Sequence, residues 1–220
     1  MTRAKICGLT RRSDAEVAER AGASFLGVIL ASGPRLITIG TARDVLGPRR
    51  HTVRRVAVFG NQSLNEILSI SESLDLDVVQ LHGDPTAAQV EELRASSSRV
   101  VWPVLRVEGT VLPPNAQALA EAAGALVLDA KVVGQLGGTG TALDWEGLVD
   151  AVKQLRAAVP DLELVLAGGL RASNVAQAMA LLEPDVVDVS SGVETAPGVK
   201  DPAKVVEFVT AVSAAKRMTG

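Results

Sequence analysis

Eight short runs of apolar, largely β-branched residues recur along the chain, and segments with helical periodicity lie between them. The predicted strands are RAKIC, FLGVIL, VRRVAVF, LDVVQL, RVVWPVL, ALVLDA, LELVLA and VVDVS. A strand followed by a helix, repeated through a chain, predicts a parallel sheet. Runs that are nearly continuous in Val, Leu and Ile are typical of strands covered on both faces. This alternation predicts the α/β class.

The number of strand–helix units indicates how the sheet is arranged. Eight units in 220 residues fit a closed (β/α)8 TIM barrel, which usually has about 250 residues. No linker rich in proline, glycine or serine divides the chain, so residues 1–220 are predicted to form a single barrel domain. A doubly wound open sheet is the alternative, because periodicity does not reveal whether a sheet closes.

The helical segments differ in the strength of their signals. SDAEVAERAG begins with Ser13 as an N-cap candidate and ends at Gly22, residue types that are usual at those two positions. Clear periodicity also marks SLNEILSISESL, PTAAQVEELRAS, DWEGLVDAVKQLRAAV, ASNVAQAMALLE and DPAKVVEFVTAVSAA. TARDVLG and NAQALAEAAG are weaker, and each is predicted as a short helix or a loop.

Charge and hydropathy exclude two classes of partner. The net charge is -3, the charges are scattered and aromatic residues make up only 2% of the chain. The chain therefore offers neither a basic stripe nor a stacking platform for bases. Its longest apolar runs, such as FLGVILA, are much shorter than the roughly 18 residues that indicate a membrane span. We predict no nucleic-acid partner and no membrane association.

Cysteine and histidine usage bears on compartment and metal binding. Cys7 is the only cysteine, so it cannot form an internal disulfide. A free thiol suits a reducing compartment, and the N-terminal MTRAKICGLT lacks the apolar region of a secretory signal, so we predict a cytoplasmic location. His51 and His82 are far apart in the sequence and lack the ligand spacing of a zinc site. No metal is expected.

Polar and glycine-rich features follow most of the predicted strands. In (β/α)8 barrels the active site lies at the carboxyl ends of the strands, so these features are predicted to share one rim. In chain order they are Cys7 with Gly8, Arg35 in ASGPR, Gln80 with His82, Asp129, AGGL at 167–170 and DVSSGVE at 188–194.

The last two of these loops predict a phosphate site. Their candidate residues are Gly168, Gly169, Ser190, Ser191 and Gly192. Glycines leave backbone N–H groups open to an anion, and phosphate sites in such barrels often use the loops after strands 7 and 8 with a short extra helix. GVETAPG is predicted to supply that helical turn. Ordinary turn chemistry is the alternative.

GGTG at 137–140 follows the sixth strand but lacks the lysine of a P-loop and the spacing of a dinucleotide-binding fingerprint. Its position favours a mobile cover over the site. A flexible turn is the simpler alternative.

Cys7 lies two residues after Lys5, so both side chains point the same way along a strand, about 6.6 Å apart. If that direction is inward, Lys5 is a buried ammonium that needs a partner and whose field favours a thiolate at Cys7. Free cysteines are also among the most buried and inert residues. Position alone leaves both interpretations open.

Four further side chains are candidates for the site. Asp129 interrupts an apolar strand, which indicates a general acid, a partner for Lys5 or a helix N-cap. Arg35 is suited to clamp a carboxylate, or it is an exposed turn residue. His82 is predicted to make a structural hydrogen bond. Asp188 either faces the site or caps a loop.

Taken together, the motifs resemble those of phosphoribosylanthranilate isomerases. They are KICGLT, FLGVI followed by PR, VQLHG, LVLDA, GGTG…DW, AGGL…NV and VDVSSGVE…PGVKD, in order from residue 4 to about residue 201. The resemblance implies a (β/α)8 barrel and the isomerisation step of tryptophan biosynthesis. That step is an Amadori rearrangement of phosphoribosylanthranilate that needs no cofactor.

The resemblance also implies roles for individual residues. Asp129 corresponds to the general acid, Cys7 to the general base and Arg35 to the residue that holds the anthranilate carboxylate. Gly168, Gly169, Ser190, Ser191 and Gly192 fall on the phosphate loops, and His82 and Asp188 are expected to contact substrate. A sibling phosphosugar isomerase and a non-catalytic sugar-phosphate-binding barrel are the alternatives. The chain is expected to be a monomer or a homodimer.

Overall fold

The computed structural model describes residues 1–130 and 143–218, and its centre is a closed barrel of eight parallel strands. The strands are β1 (Arg3–Ile6), β2 (Phe25–Ile29), β3 (Arg54–Phe59), β4 (Val78–Leu81), β5 (Val100–Val107), β6 (Ala125–Ala130), β7 (Glu163–Leu166) and β8 (Val186–Val189). Each strand pairs with the next, and β8 pairs with β1. The predicted (β/α)8 barrel is confirmed, and the open sheet is excluded.

Helices separate the strands and pack around the barrel. They are α1 (Arg12–Ala21), α2 (Ile39–Leu46), α3 (Leu64–Ser73), α4 (Ala87–Ser96), α5 (Ala116–Ala123), α6 (Trp145–Ala158), α7 (Val175–Leu182) and α8 (Pro202–Met218). Neighbouring helices contact one another, and α8 closes the ring against α1. The two weaker segments are both helices, α2 and α5.

One predicted helix cap is wrong and another is confirmed. Helix α1 begins at Arg12 with Arg11 in the N-cap position, so Ser13 lies inside the first turn, where its hydroxyl cannot cap. The carboxylate of Asp14 instead anchors this turn, because it accepts hydrogen bonds from the Arg11 guanidinium and from the backbone N–H of Lys200. At the other end, Gly22 adopts the left-handed conformation that closes the helix.

The connection from β8 to α8 departs from the predicted helical turn over GVETAPG. A 3-10 turn covers Ser191–Val193, and the following residues form a hairpin of two short strands, β9 (Glu194–Ala196) and β10 (Val199–Lys200). The helical turn therefore begins one residue earlier than predicted and ends sooner. The hairpin brings Glu194 and Lys200 towards the rim of the barrel.

The barrel interior differs between its two ends. Near the amino ends of the strands, the rings of Phe25 and Trp102 are in contact, with their centroids 5.0 Å apart. Nearer the carboxyl ends, Lys5 of β1 lies in register with Asp188 of β8, so closure of the barrel brings these two charged side chains together.

GGTG at 137–140 lies outside the described residues. Within residues 1–130 and 143–218, no helix is long and apolar enough to cross a membrane.

Candidate active site

A cavity opens at the carboxyl ends of the strands and encloses about 850 Å³, open solvent at its mouth included. Nine of the ten predicted site residues line it, namely Cys7, Arg35, His82, Asp129, Gly168, Gly169, Asp188, Ser190 and Ser191. The tenth, Gly192, lies outside the lining. Residues from both ends of the sequence therefore meet at one rim, as the parallel topology requires.

Cys7 directly follows β1 and is buried at the floor of this cavity. Its backbone N–H donates to the carbonyl of Val189 at 2.8 Å, which continues the β1–β8 pairing by one residue. On the other side lies Gly27 of β2, where a Cβ atom would stand 3.0 Å from the Cys7 sulfur. The thiol therefore occupies space that only a glycine at position 27 leaves open.

Lys5 is fully buried one layer below the thiol, as predicted, and its partner is Asp188 rather than Asp129. The Nζ atom donates to Asp188 Oδ2 at 2.7 Å. Burial alone lowers the pKa of Lys5, but Asp188 and then Cys7 raise it to above its ordinary value. Lys5 is therefore a permanent positive charge beneath the site.

The pKa of the Cys7 thiol is raised above its ordinary value, so the predicted field of Lys5, although present, does not produce a net lowering. Burial has the largest effect and disfavours the thiolate, whereas Lys5 acts in the opposite direction and only partly offsets it. The resting form of Cys7 is therefore the thiol. Burial likewise raises the pKa of Asp188 against the opposing field of Lys5.

Asp129 stands at the end of β6 and faces the cavity, so it is neither the partner of Lys5 nor a helix cap. His82 Nε2 lies 3.3 Å from Asp129 Oδ2, and the backbone N–H of His82 is fixed by the carbonyl of Phe59 at 2.8 Å. This contact agrees with the predicted hydrogen-bonding role of His82.

The two glycine-rich loops pack against each other. Gly168 and Gly169 have φ values of 87° and 64°, in the left-handed region that favours glycine. Asn174 holds this loop, since its amide donates to the carbonyl of Gly169 at 3.0 Å. A Cβ atom on Gly192 would lie 1.9 Å from the carbonyl oxygen of Leu170, so Gly192 is a packing residue between the loops.

Arg35 is buried, not an exposed turn residue, and it is already paired. Its Nε and Nη2 atoms donate to the two carboxylate oxygens of Glu194 at 2.8 and 2.6 Å. This bidentate hydrogen bond raises the pKa of Arg35, against the opposing effect of burial. Arg35 thus has the clamp geometry that the sequence predicted, with a protein carboxylate on one edge.

Sequence reasoning assigned no role to several residues that shape the site. Gln80 is buried in β4 and lines the cavity, and its Oε1 atom has no hydrogen-bond partner in the described part of the chain. A polar residue in an otherwise apolar strand was the available signal. Glu194, Lys200 and Asn174 belong to the recognised motifs, yet their contacts depend on how the loops fold back.

Comparison with known proteins gives a consistent result. Residues 4–211 match the family model of N-(5'phosphoribosyl)anthranilate (PRA) isomerase. The N-(5'-phosphoribosyl)anthranilate isomerase of Pseudomonas fluorescens (strain Pf0-1) is 40% identical over 212 residues, which cover 96% of this chain and 98% of the relative.

Solved structures agree with this match. Phosphoribosyl anthranilate isomerase from Thermus thermophilus superposes with a TM-score of 0.82 at 34% identity, over 97% of this chain and 99% of the other. A second isomerase, solved in complex with reduced 1-(o-carboxyphenylamino)-1-deoxyribulose 5-phosphate, gives a TM-score of 0.78 at 28% identity, over 97% and 100% of the two chains.

Proposed function

The chain belongs to the N-(5'-phosphoribosyl)anthranilate isomerase family, and we propose that it performs that reaction with Asp129 as general acid and Cys7 as general base. The chain is accordingly an isomerase of tryptophan biosynthesis. Its substrate is N-(5'-phosphoribosyl)anthranilate, and its product is 1-(2-carboxyphenylamino)-1-deoxyribulose 5-phosphate. The rearrangement reduces C1′ and oxidises C2′ of the same sugar, so it balances without an external redox cofactor.

The first half of the reaction opens the sugar ring. Asp129 protonates the furanose ring oxygen, and the C1′–O bond breaks as the anthranilate nitrogen forms a Schiff base with C1′. His82 supports this step, because its ring lies within 3.3 Å of the Asp129 carboxylate and can stabilise the charge that forms there.

The second half moves a proton from C2′. The Cys7 thiolate takes that proton, and the electron pair of the C–H bond neutralises the Schiff base to give an enolamine. The enolamine then tautomerises to the ketone. Because the resting Cys7 is a thiol, the reaction uses a minor thiolate population, which Lys5 increases by lowering the pKa that burial has raised.

The two charged ends of the substrate match two parts of the cavity. Arg35 is suited to the anthranilate carboxylate, since a guanidinium binds carboxylates through parallel hydrogen bonds. The loops that contain Gly168, Gly169, Ser190 and Ser191 are suited to the phosphate. Asp188, charged and beside Cys7, is proposed to contact the sugar between these anchors.

A single observation carries this proposal. Cys7 after β1 and Asp129 at the end of β6 line the same cavity, although they come from strands separated on both sides around the barrel. A base and an acid that act on opposite sides of a sugar need this separation.

The test is a fluorescence assay with freshly prepared N-(5'-phosphoribosyl)anthranilate, in which turnover removes the anthranilate-type signal. We expect Cys7→Ala and Asp129→Asn each to lose about 10²- to 10⁴-fold in kcat, the usual contribution of general acid–base catalysis. Asp161→Asn, at an exposed carboxylate that precedes β7, is the matched control and keeps the wild-type rate. A wild-type rate no higher than the spontaneous background contradicts the proposal.

A titration with the reduced product analogue, run beside the turnover assay, separates the alternative functions. A non-catalytic sugar-phosphate-binding barrel binds the reduced product analogue without turnover, whereas a sibling phosphosugar isomerase leaves the anthranilate substrate untouched. We further propose that the chain acts in the cytoplasm as a single barrel domain. Size-exclusion chromatography with light scattering distinguishes a monomer from a homodimer.

A further inference from the structure

A chain of three buried charges borders the active-site cavity, and two of them, Glu194 and Lys200, have no role in the mechanism above. Glu194 lies at its centre and is held by Arg35 on one side and Lys200 on the other. Lys200 Nζ donates to Glu194 Oε1 at 2.8 Å, and all three side chains are almost completely excluded from solvent. Burying three charged side chains costs hydration free energy, and this cost is offset only when the geometry of the ion pairs is good and further hydrogen bonds satisfy the remaining polar atoms.

Glu194 occupies only one edge of the Arg35 guanidinium. Its two oxygens accept from Nε and Nη2, whereas Nη1 makes no hydrogen bond to the part of the chain that the structure describes. A guanidinium has five N–H donors in one plane, so a second carboxylate can bind along the remaining edge. Arg35 also lines the cavity, where that carboxylate would arrive.

The backbone around this arginine is shaped for it. A Cβ atom on Gly8 would lie 2.5 Å from Arg35 Cδ and 2.8 Å from the Ser190 hydroxyl oxygen. The stem of Arg35 therefore crosses directly over the residue that follows Cys7. The position of the guanidinium relative to the reacting groups depends on this crossing and on Glu194.

Glu194 is itself held rigidly by the β9–β10 hairpin. The N–H of Gly198 donates to its Oε1 atom at 3.2 Å, and Lys204 Nζ donates to its backbone carbonyl at 2.9 Å. Burial acts to raise the pKa of Glu194, but hydrogen bonds from Arg35 and Lys200 bring that pKa below its ordinary value. Glu194 is therefore an ionised acceptor held by several hydrogen bonds.

Lys200 connects this arrangement to the loop after β8. Besides Glu194, its ammonium donates to the carbonyl of Ser190 at 3.1 Å. Ser190 belongs to the loop proposed to bind the phosphate. The Lys200 ammonium thus fixes the spacing between Arg35, which it reaches through Glu194, and the loop that contains Ser190.

We propose that Glu194 is a positioning residue for recognition of the substrate's ring carboxylate. It holds Arg35 by the Nε–Nη2 edge so that the remaining Nη1–Nη2 edge meets the carboxylate of the substrate, and Lys200 keeps Glu194 in register with the Ser190 loop. This role rests on the proposed function, because it presumes a substrate with a carboxylate at one end and a phosphate at the other.

The test measures binding of two probes by titration. One is reduced 1-(o-carboxyphenylamino)-1-deoxyribulose 5-phosphate, and the other is the same compound without the ring carboxylate. Glu194→Gln keeps the shape of the side chain but removes its charge and one acceptor. We expect it to weaken binding of the first probe about tenfold and to leave binding of the second within about twofold, as loss of one charge-assisted contact predicts.

Steady-state kinetics supply a second readout that a merely structural defect does not reproduce. Glu194→Gln is expected to raise KM by about tenfold while kcat changes by less than about threefold, because the lost contact acts on binding rather than on proton transfer. Glu163→Gln is the matched control, since Glu163 also pairs with an arginine but lies at the opposite end of the barrel. It should leave both probes and both kinetic constants unchanged.

Each outcome decides the inference. Equal weakening of the two probes, or no weakening of either, overturns it. If Glu194→Gln fails to fold, Glu194→Asp serves instead, because it keeps the charge and withdraws the carboxylate by one methylene, and the same selective loss is expected. Failure of the proposed function is recognised separately, since the wild-type protein would then not turn over the substrate, whatever the two probes show.

Discussion

Two arginine–glutamate pairs lie at opposite ends of the barrel and differ in their surroundings. At the amino end, Arg3 pairs with Glu163, and the two side chains are 33% and 22% exposed. At the carboxyl end, Arg35 pairs with Glu194, and the exposures are 7% and 5%. Glu163 has a further donor in the indole of Trp102 at 2.8 Å. The amino-end pair therefore remains partly hydrated, whereas the carboxyl-end pair depends on its protein neighbours.

The side chains inside the barrel next to each pair differ as well. Towards the amino end, Phe25 and Trp102 fill the barrel with apolar rings. Towards the carboxyl end, the Lys5–Asp188 ion pair takes that place, and Asp188 Oδ1 is buried without a partner in the described residues. An unsatisfied buried acceptor costs about 1–3 kcal/mol. This cost is consistent with a binding site, because a polar atom such as Asp188 Oδ1 that has no protein partner remains available to a substrate.

The largest effect is expected from removing one cation at each end. Lys5→Met leaves Asp188 as an unpaired buried carboxylate, and the free energy of unfolding at pH 7 should fall by about 3–5 kcal/mol. Arg3→Met, in the partly hydrated pair, should cost less than about 1 kcal/mol. Urea denaturation monitored by circular dichroism measures both values. Equal losses would contradict the contrast between the two ends.

The Lys5 variant also has an expected pH dependence. The pKa of Asp188 is already raised in the folded chain, and loss of Lys5 raises it further. A carboxyl whose folded pKa exceeds its unfolded pKa stabilises the fold at low pH and loses that contribution as pH rises. The loss in the free energy of unfolding caused by Lys5→Met should therefore become smaller as the pH falls from 7 towards 4. The double variant Lys5→Met/Asp188→Leu should recover most of the stability at pH 7, because neither charge remains.

An intermediate effect is expected on the reactivity of Cys7. The alkylation rate with iodoacetamide follows the thiolate fraction, so it should still be rising with pH at pH 8.5, the usual pKa of a free thiol, because the pKa of Cys7 is raised. Lys5→Met should raise the pH at which the alkylation rate reaches its plateau, since Lys5 lowers the Cys7 pKa. Arg3→Met, at the other end, should leave the profile unchanged.

The single cysteine makes this measurement unambiguous. Protein unfolded in guanidinium provides the reference, in which Cys7 should level off near its ordinary pKa. A native profile that levels off below the unfolded one would show that Lys5 outweighs burial.

The smallest effect is expected from two glycines near opposite ends of β6. Gly124 precedes the strand with φ 68° and nothing close to its missing Cβ, whereas Gly168 has φ 87° and a Cβ there would lie 3.1 Å from Asp129 Oδ1. Each substitution by alanine should cost about 1–2 kcal/mol from the left-handed backbone, and Gly168→Ala should cost more than Gly124→Ala because its Cβ would also lie 2.9 Å from the backbone nitrogen of Ala130. Only Gly168→Ala should also reduce kcat, because it displaces Asp129. Thermal unfolding and the fluorescence assay measure the two quantities, and an equal fall in kcat for both variants would contradict the prediction.

Much of the fold was predictable because its signals are local. Each apolar run is a strand of the barrel, and the rule that sites gather at the carboxyl ends of strands is sufficient to place Cys7 and Asp129 on one rim. Gly22 ended its helix as expected. Ser13 did not begin it, because Asp14 anchors the same turn through contacts with distant backbone.

The remaining features depend on contacts that no local pattern encodes. Asp129 and Asp188 were both available to Lys5, and only the β1–β8 register selects Asp188. Similarly, the sequence left Arg35 as a carboxylate clamp or an exposed turn residue and did not indicate Glu194 as its partner, because Glu194 reaches it through a hairpin in a segment with turn-like composition. The net direction of the Cys7 pKa shift also required the depth of burial, which outweighs a nearby cation.

The pairing of β1 with β8 has a consequence for biosynthesis of the chain. Lys5 and Asp188 are 183 residues apart, so a growing chain presents Cys7 early but cannot surround it until the last strand has left the ribosome. Until then the thiol has its ordinary pKa and a larger thiolate fraction, which is the form that oxidants attack. The pairing of β8 with β1 therefore completes the surroundings of Cys7 in the active site and, in the same step, protects this only cysteine from oxidation.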